Sequence, residues 1–156
     1  MQGFAVRRQM LSRLGVASFV LLLGGLLLAR GASAQAFQMI SAQDLRSLID
    51  GPEAPVVLDV RLADEVSVLG KIPEATVVSL NDLMLQVSSV VPDQGATVVI
   101  YAASDATAKM AALALTQLLG YTDVRFLEGG FDAWDLSGYP VEPWEGPQAA
   151  PIPGGC

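Results

Sequence analysis

Three observations predict an α/β fold with a central parallel sheet flanked by helices. Short continuous apolar runs, such as "PVVLDV" at 55–60 and "ATVVIYA" at 96–102, read as strands buried on both faces. Segments with helical spacing alternate with them, the pattern of parallel strands joined by crossover helices. A length of 156 residues suits one domain.

Residues 1–34 stand apart from that pattern. Arg7, Arg8 and Arg13 make a positive start, Leu14–Ala29 is uncharged and largely apolar, and Ala32-Ser33-Ala34 offers a small-x-small cleavage site. This layout is that of a secretory signal peptide, so the chain is expected to be exported to the periplasm. The apolar run is short against the ~20 residues of a membrane span, and an uncleaved inner-membrane anchor facing the periplasm is the alternative. Arg7-Arg8-Gln9-Met10-Leu11 resembles a twin-arginine signal, but paired arginines also occur in general secretory signals, so the route stays open.

The mature chain then begins near Gln35. Ser41, followed by Asp44, is read as a helix start, with Ser41 capping backbone N–H groups and Asp44 near the positive end. Leu45, Leu48 and Ile49 share one face, and Gly51-Pro52 closes the segment. "PVVLDV" is the first strand, with Asp59 and Arg61 at its C-terminal end. "ATVVSL" at 75–80 is the second, after which Asn81 is expected to cap a helix through about Val87. "ATVVIYA" is the third strand. "TAKMAALALTQLLG" is rich in good helix formers and ends at Gly120. "DVRFLEGG" gives a fourth strand running into a glycine pair, and "FDAWDLSG" a short last helix. Residues 143–156 carry Gly, Pro and Ala without periodicity and are expected to form a flexible tail.

Composition excludes several function classes. All sixteen acidic residues lie beyond residue 34, against five basic ones (Arg46, Arg61, Lys71, Lys109, Arg125), so nucleic acid and anionic lipid are not expected partners. There is no histidine, and Cys156, the last residue, is the lone cysteine. That rules out an intramolecular disulfide and leaves no expected zinc or transition-metal site, and no cofactor is called for.

"TVVIYAASDATAKMAA", 97–112, is a strand, a short polar loop and a helix, an arrangement that often carries a nucleophile. Ser104 and Thr107 supply hydroxyls, but a serine nucleophile needs a base and histidine is absent. The reading favoured for them is that Thr107 or a neighbour caps the following helix.

Four segments in order carry a resemblance: "LDVR" at 58–61, "GKIPEA" at 70–75, the loop region at 97–112, and "LEGGFDAWDLSGYPV" at 127–141. Together they resemble the rhodanese family, over about residues 38–142. Gly129, Gly130, Trp134, Gly138, Tyr139 and Pro140 match that family's glycine pair, tryptophan and Gly-Tyr-Pro turn. Lys71 and Glu74 replace the family's His and second Gly, and one extra residue separates Arg61 from Gly70. The resemblance implies a sheet wrapped by helices. For active members it implies a cysteine at the end of the central strand, which takes sulfur as a persulfide inside a loop of inward-pointing N–H groups.

In that register Ala102 stands at the cysteine position, followed by Ala103, Ser104, Asp105 and Ala106, with Thr107 where arginine is common. A methyl group cannot carry sulfur. Asp105 adds negative charge to a cradle suited to anions, and Thr107 removes a positive one. The expectation is therefore a non-catalytic binding or scaffold module, with a vestigial active-site loop at 102–107. Its partner would be an unidentified protein or a small anion or sulfur species. The alternative is a thiosulfate or persulfide sulfurtransferase in which Cys156 carries the sulfur. Cys156 is otherwise an inert thiol or the link of a disulfide-bonded dimer. Asp59 and Arg61 are expected to pin loops, Trp134 to pack in the core, and Trp144 to lie against the domain or meet a partner.

Overall fold

The computed structural model describes residues 37–146; the predicted signal peptide, most of the predicted tail and Cys156 lie outside them. Five strands form one sheet: β1 (Gln38–Ile40), β2 (Val56–Asp59), β3 (Thr76–Val77), β4 (Thr97–Tyr101) and β5 (Asp123–Leu127). Their order is β1-β5-β4-β2-β3, and every pairing is parallel. Five helices connect and cover them: α1 (Ala42–Ile49), α2 (Ala63–Leu69), α3 (Leu83–Val90), α4 (Asp105–Leu113) and α5 (Gly130–Leu136). The α/β class and the parallel sheet are as the sequence predicts.

Alternation along the central strand β4 sorts the core into two halves. Val98, Ile100 and the following Ala102 face a cluster with Leu83 and Val87 of α3 and Ala108, Ala111 and Ala112 of α4. Val99 and Tyr101 face the other cluster, with Leu45 of α1 and Phe131 and Trp134 of α5. The three buried alanines let α4 lie close against the sheet, and Trp134 fills the opposite half, fully buried. The core reading of Trp134 holds.

Ser41 caps α1 as expected: its Oγ accepts from Asp44 N at 3.1 Å. Asn81 does not cap a helix. Ser79 Oγ donates to Asp82 Oδ2 at 2.7 Å and Asp82 N donates to Ser79 O at 2.9 Å, so a turn intervenes and α3 begins only at Leu83. "ATVVSL" shrinks to the two paired residues of β3. The long predicted helix is α4 followed by a π-helical turn at Ala114–Leu118, where Thr116 Oγ1 donates to Ala112 O at 2.9 Å. Gly120, with φ +78, ends it. β1 and α2 carry no expectation from the sequence.

Candidate functional site

The 102–107 segment leaves the C-terminal end of β4, the middle strand of the sheet, but only 102–104 is loop: Ser104 caps the helix early, so Asp105, Ala106 and Thr107 form the first turn of α4. Sites in open parallel sheets form at this edge. Ala102 is fully buried, and its methyl belongs to the core half shared with α3 and α4. Its carbonyl accepts from Phe131 N at 3.3 Å. Gly130, with φ +58, passes so close that a Cβ there would collide with Ala102 O. The second glycine of the pair is thus required by a close approach of two backbones.

Ser104 is the residue that caps α4: its Oγ accepts from Thr107 N at 3.3 Å. Thr107 is the capped partner, and the two hydroxyls lie 3.0 Å apart, bonded to each other. Ala103 and Ala106 are exposed. The Asp105 carboxylate is turned across to the β5–α5 turn, where its Oδ1 accepts from Gly129 N at 2.9 Å. Its charge therefore already holds a backbone donor. Lys109 Nζ sits 5.0 Å from the centre of the Phe126 ring.

Beside the loop lies a buried polar cluster. Arg61 grips Asp59 through Nε, at 3.0 and 3.1 Å, and through Nη2, at 2.6 Å. Nη2 also donates to Gly70 O at 2.6 Å, tying the end of β2 to the "GKIPEA" segment. Burial works against the arginine's charge, but the hydrogen bond to Asp59 and its charge overcome this and hold the guanidinium above its ordinary pKa. The Phe131 ring covers the guanidinium at 4.0 Å. Tyr101 Oη accepts from Ile72 N at 3.1 Å, and burial, then the Asp59 charge, push the phenol well above its usual range. Pinning loops is indeed what Asp59 and Arg61 do. Phe131 and Tyr101 are the members of this cluster that the sequence reading missed. Their places next to Gly130 and Ala102 were the available signal.

The "GKIPEA" segment is clasped from the C-terminal side. Lys71 and Glu142 form an isolated antiparallel bridge, exchanging N–H···O bonds at 2.9 Å, and their side chains pair. Glu74 stands in the left-handed region at φ 61 and donates its N–H to Glu142 Oε1 at 3.3 Å. Trp134 Nε1 donates to Pro140 O at 2.8 Å, and Tyr139 packs on the indole at 4.9 Å. Trp144 is half-buried, and Gly146 passes against its ring. Among the described residues no group of three or more acidic, histidine or cysteine side chains is placed to hold a metal. Cys156 falls outside the described residues.

Against known proteins, a family model described as a rhodanese-like domain matches residues 41–137. No curated relative matches the chain. Among solved structures, the Alr3790 protein of Anabaena sp. is 28% identical, with a TM-score of 0.62 over 68% of this chain and 83% of that one. A rhodanese-related protein of Thermoplasma volcanium is 26% identical, with a TM-score of 0.57 over 68% of this chain and 98% of its own. A thiosulfate sulfurtransferase of Pseudomonas aeruginosa is 25% identical over 69% of this chain, with a TM-score of 0.62, but the match spans only 20% of that larger protein.

Proposed function

The chain belongs to the rhodanese-like domain family, and from that premise we propose that it is a non-catalytic binding or scaffold module acting in the periplasm. One observation carries this reading: Ala102 follows the central strand where the resemblance places the sulfur-carrying cysteine, and its methyl is packed into the core. A methyl group offers no lone pair to attack with and no atom to carry sulfur. Two features support it further. The Ser104 and Thr107 hydroxyls are engaged with each other and with the helix start, and histidine is absent from the chain. The Asp105 carboxylate repels the anionic donors on which sulfur transfer depends. Export rests on the layout of residues 1–34. The partner is an unidentified protein segment or a small anion or sulfur species seated at the 102–107 loop.

The second reading is a sulfurtransferase whose carrier is Cys156. Its support is the anchoring of the chain at Lys71–Glu142, beside the segment that Arg61 ties to β2. The ten residues beyond Gly146 reach up to ~35 Å when extended. A thiosulfate:cyanide assay on the purified mature chain separates the two. The module reading expects no thiocyanate and no one-sulfur mass increase after thiosulfate. Thiocyanate that forms and then disappears in Cys156→Ser would overturn it in favour of the second.

A further inference from the structure

The loop after β4 and the turn after β5 are joined at two points. Ala102 O accepts from Phe131 N at 3.3 Å, and Asp105 Oδ1 accepts from Gly129 N at 2.9 Å. These are the contacts that seat the Gly129–Gly130 turn, and both glycines adopt positive φ (+70 and +58) to make it. The turn leads directly into Phe131, whose ring covers the Arg61 guanidinium at 4.0 Å. Asp105 is thus linked to Arg61 through the turn that leads into Phe131.

What lies beneath the cover is unsatisfied. The Arg61 side chain is 1% exposed, and Nε and Nη2 are used in full on Asp59 and Gly70. Nη1 donates to no acceptor among the described residues. A buried donor on a charged group left without a partner is unfavourable, so the closed arrangement carries a penalty that an acceptor would remove. Bonds at the turn hold it shut, and one unpaired nitrogen of the otherwise paired guanidinium beneath favours opening.

We propose that Asp105 is a latch: its carboxylate fastens the Gly129–Gly130 turn over Arg61, and its release uncovers Arg61 Nη1 as a donor for a small oxyanion. The closed form keeps the arginine out of reach while Asp105 is seated. The inference stands on the contacts of the turn and does not depend on the module reading, which the sulfur assay tests separately.

Amide hydrogen exchange on the full mature chain tests the latch, with inorganic sulfate as the probe anion. In Asp105→Ala, exchange at Gly129 and Phe131 is expected to rise about tenfold, the loss of one hydrogen bond to a charged acceptor, while Val99 and Ile100 in β4 keep their protection. Asp105→Asn retains an oxygen acceptor and is expected to exchange close to the wild type. Sulfate is expected to shift the Arg61 Nε resonance in Asp105→Ala and to leave it in place in the wild type. Unchanged exchange at Gly129 in a folded Asp105→Ala overturns the latch, as does Asp105→Asn exchanging as fast as Asp105→Ala. An Arg61 resonance that ignores sulfate in Asp105→Ala overturns the anion site.

Discussion

Glu74 holds a left-handed backbone, and its N–H donates to the Glu142 carboxylate 3.3 Å away. The family resemblance places a glycine at this position, and the φ of 61 explains why: an L side chain is strained there by about 1–2 kcal/mol. Glycine removes the strain but enlarges the freedom of the unfolded chain, which offsets about 0.5–1 kcal/mol. Glu74→Gly is therefore expected to stabilise the domain by about 0.5–1 kcal/mol. Urea unfolding measures it, and a loss of stability would show that the Glu74 side chain contributes more than its strain costs.

At the other glycine contact the sign reverses. Gly130→Ala would place a Cβ against Ala102 O and force a side chain into φ +58. Strain of this kind costs about 1–3 kcal/mol before any backbone shift. Thermal unfolding should show a clear drop, together with faster exchange at Phe131. A variant as stable as the wild type would mean that the two backbones do not approach as described.

The buried pair predicts strong non-additivity. Arg61→Met leaves the Asp59 carboxylate, fully buried, without its partner, and Asp59→Leu strands the guanidinium. Each single change is expected to cost about 3–5 kcal/mol, and the double change less than the sum of the two. A double-mutant cycle in urea checks this. Additive losses would show that the two charges are not coupled.

Acid sensitivity follows from the exposed clasps. The hydrogen bond from Lys71 holds Glu142 below its usual 4.5, and that from Arg125 holds Asp123 below its usual 3.8. A depressed carboxylate contributes stability above its unfolded pKa and loses it as pH falls through the folded one. The stability gap between the wild type and Lys71→Met should thus be open at neutral pH and close below about pH 4.5. A gap that persists unchanged at pH 3 argues that Lys71 acts through packing alone.

Restoring the emptied chemistry is the direct test of the loop's register. Ala102→Cys with Asp105→Gly and Thr107→Arg returns a thiol, removes the carboxylate and adds a cation near the α4 start. Thiocyanate production above the wild-type background is expected. A folded but inactive triple variant would place the nucleophile position elsewhere.

The sequence disclosed those features whose signal is local. β2 and β4 are short, largely apolar runs, β5 leads straight into the glycine pair, and the Ser41 cap is a short motif. β1 escaped because it is three residues long with a single buried side chain, Ile40. α2 escaped because only Val66 on it is buried and no polar side chain precedes it as a cap. At the site, the order of motifs located Ala102. The contacts that define its surroundings join residues far apart in the chain, such as Asp105 to Gly129 and Arg61 to Phe131. No window of sequence contains them.

Strand order has a consequence for how the domain forms. The first strand does not pair with the second; Gln38 lies beside Arg125 and Ile40 beside Leu127, so β1 waits for the last strand of the sheet. Closing so long a loop costs entropy before any contact repays it, and high contact order slows folding. A ribosome that still holds Leu127 therefore leaves Phe37–Ile40 with nothing to pair against. The sheet of this domain is completed from its ends, and late.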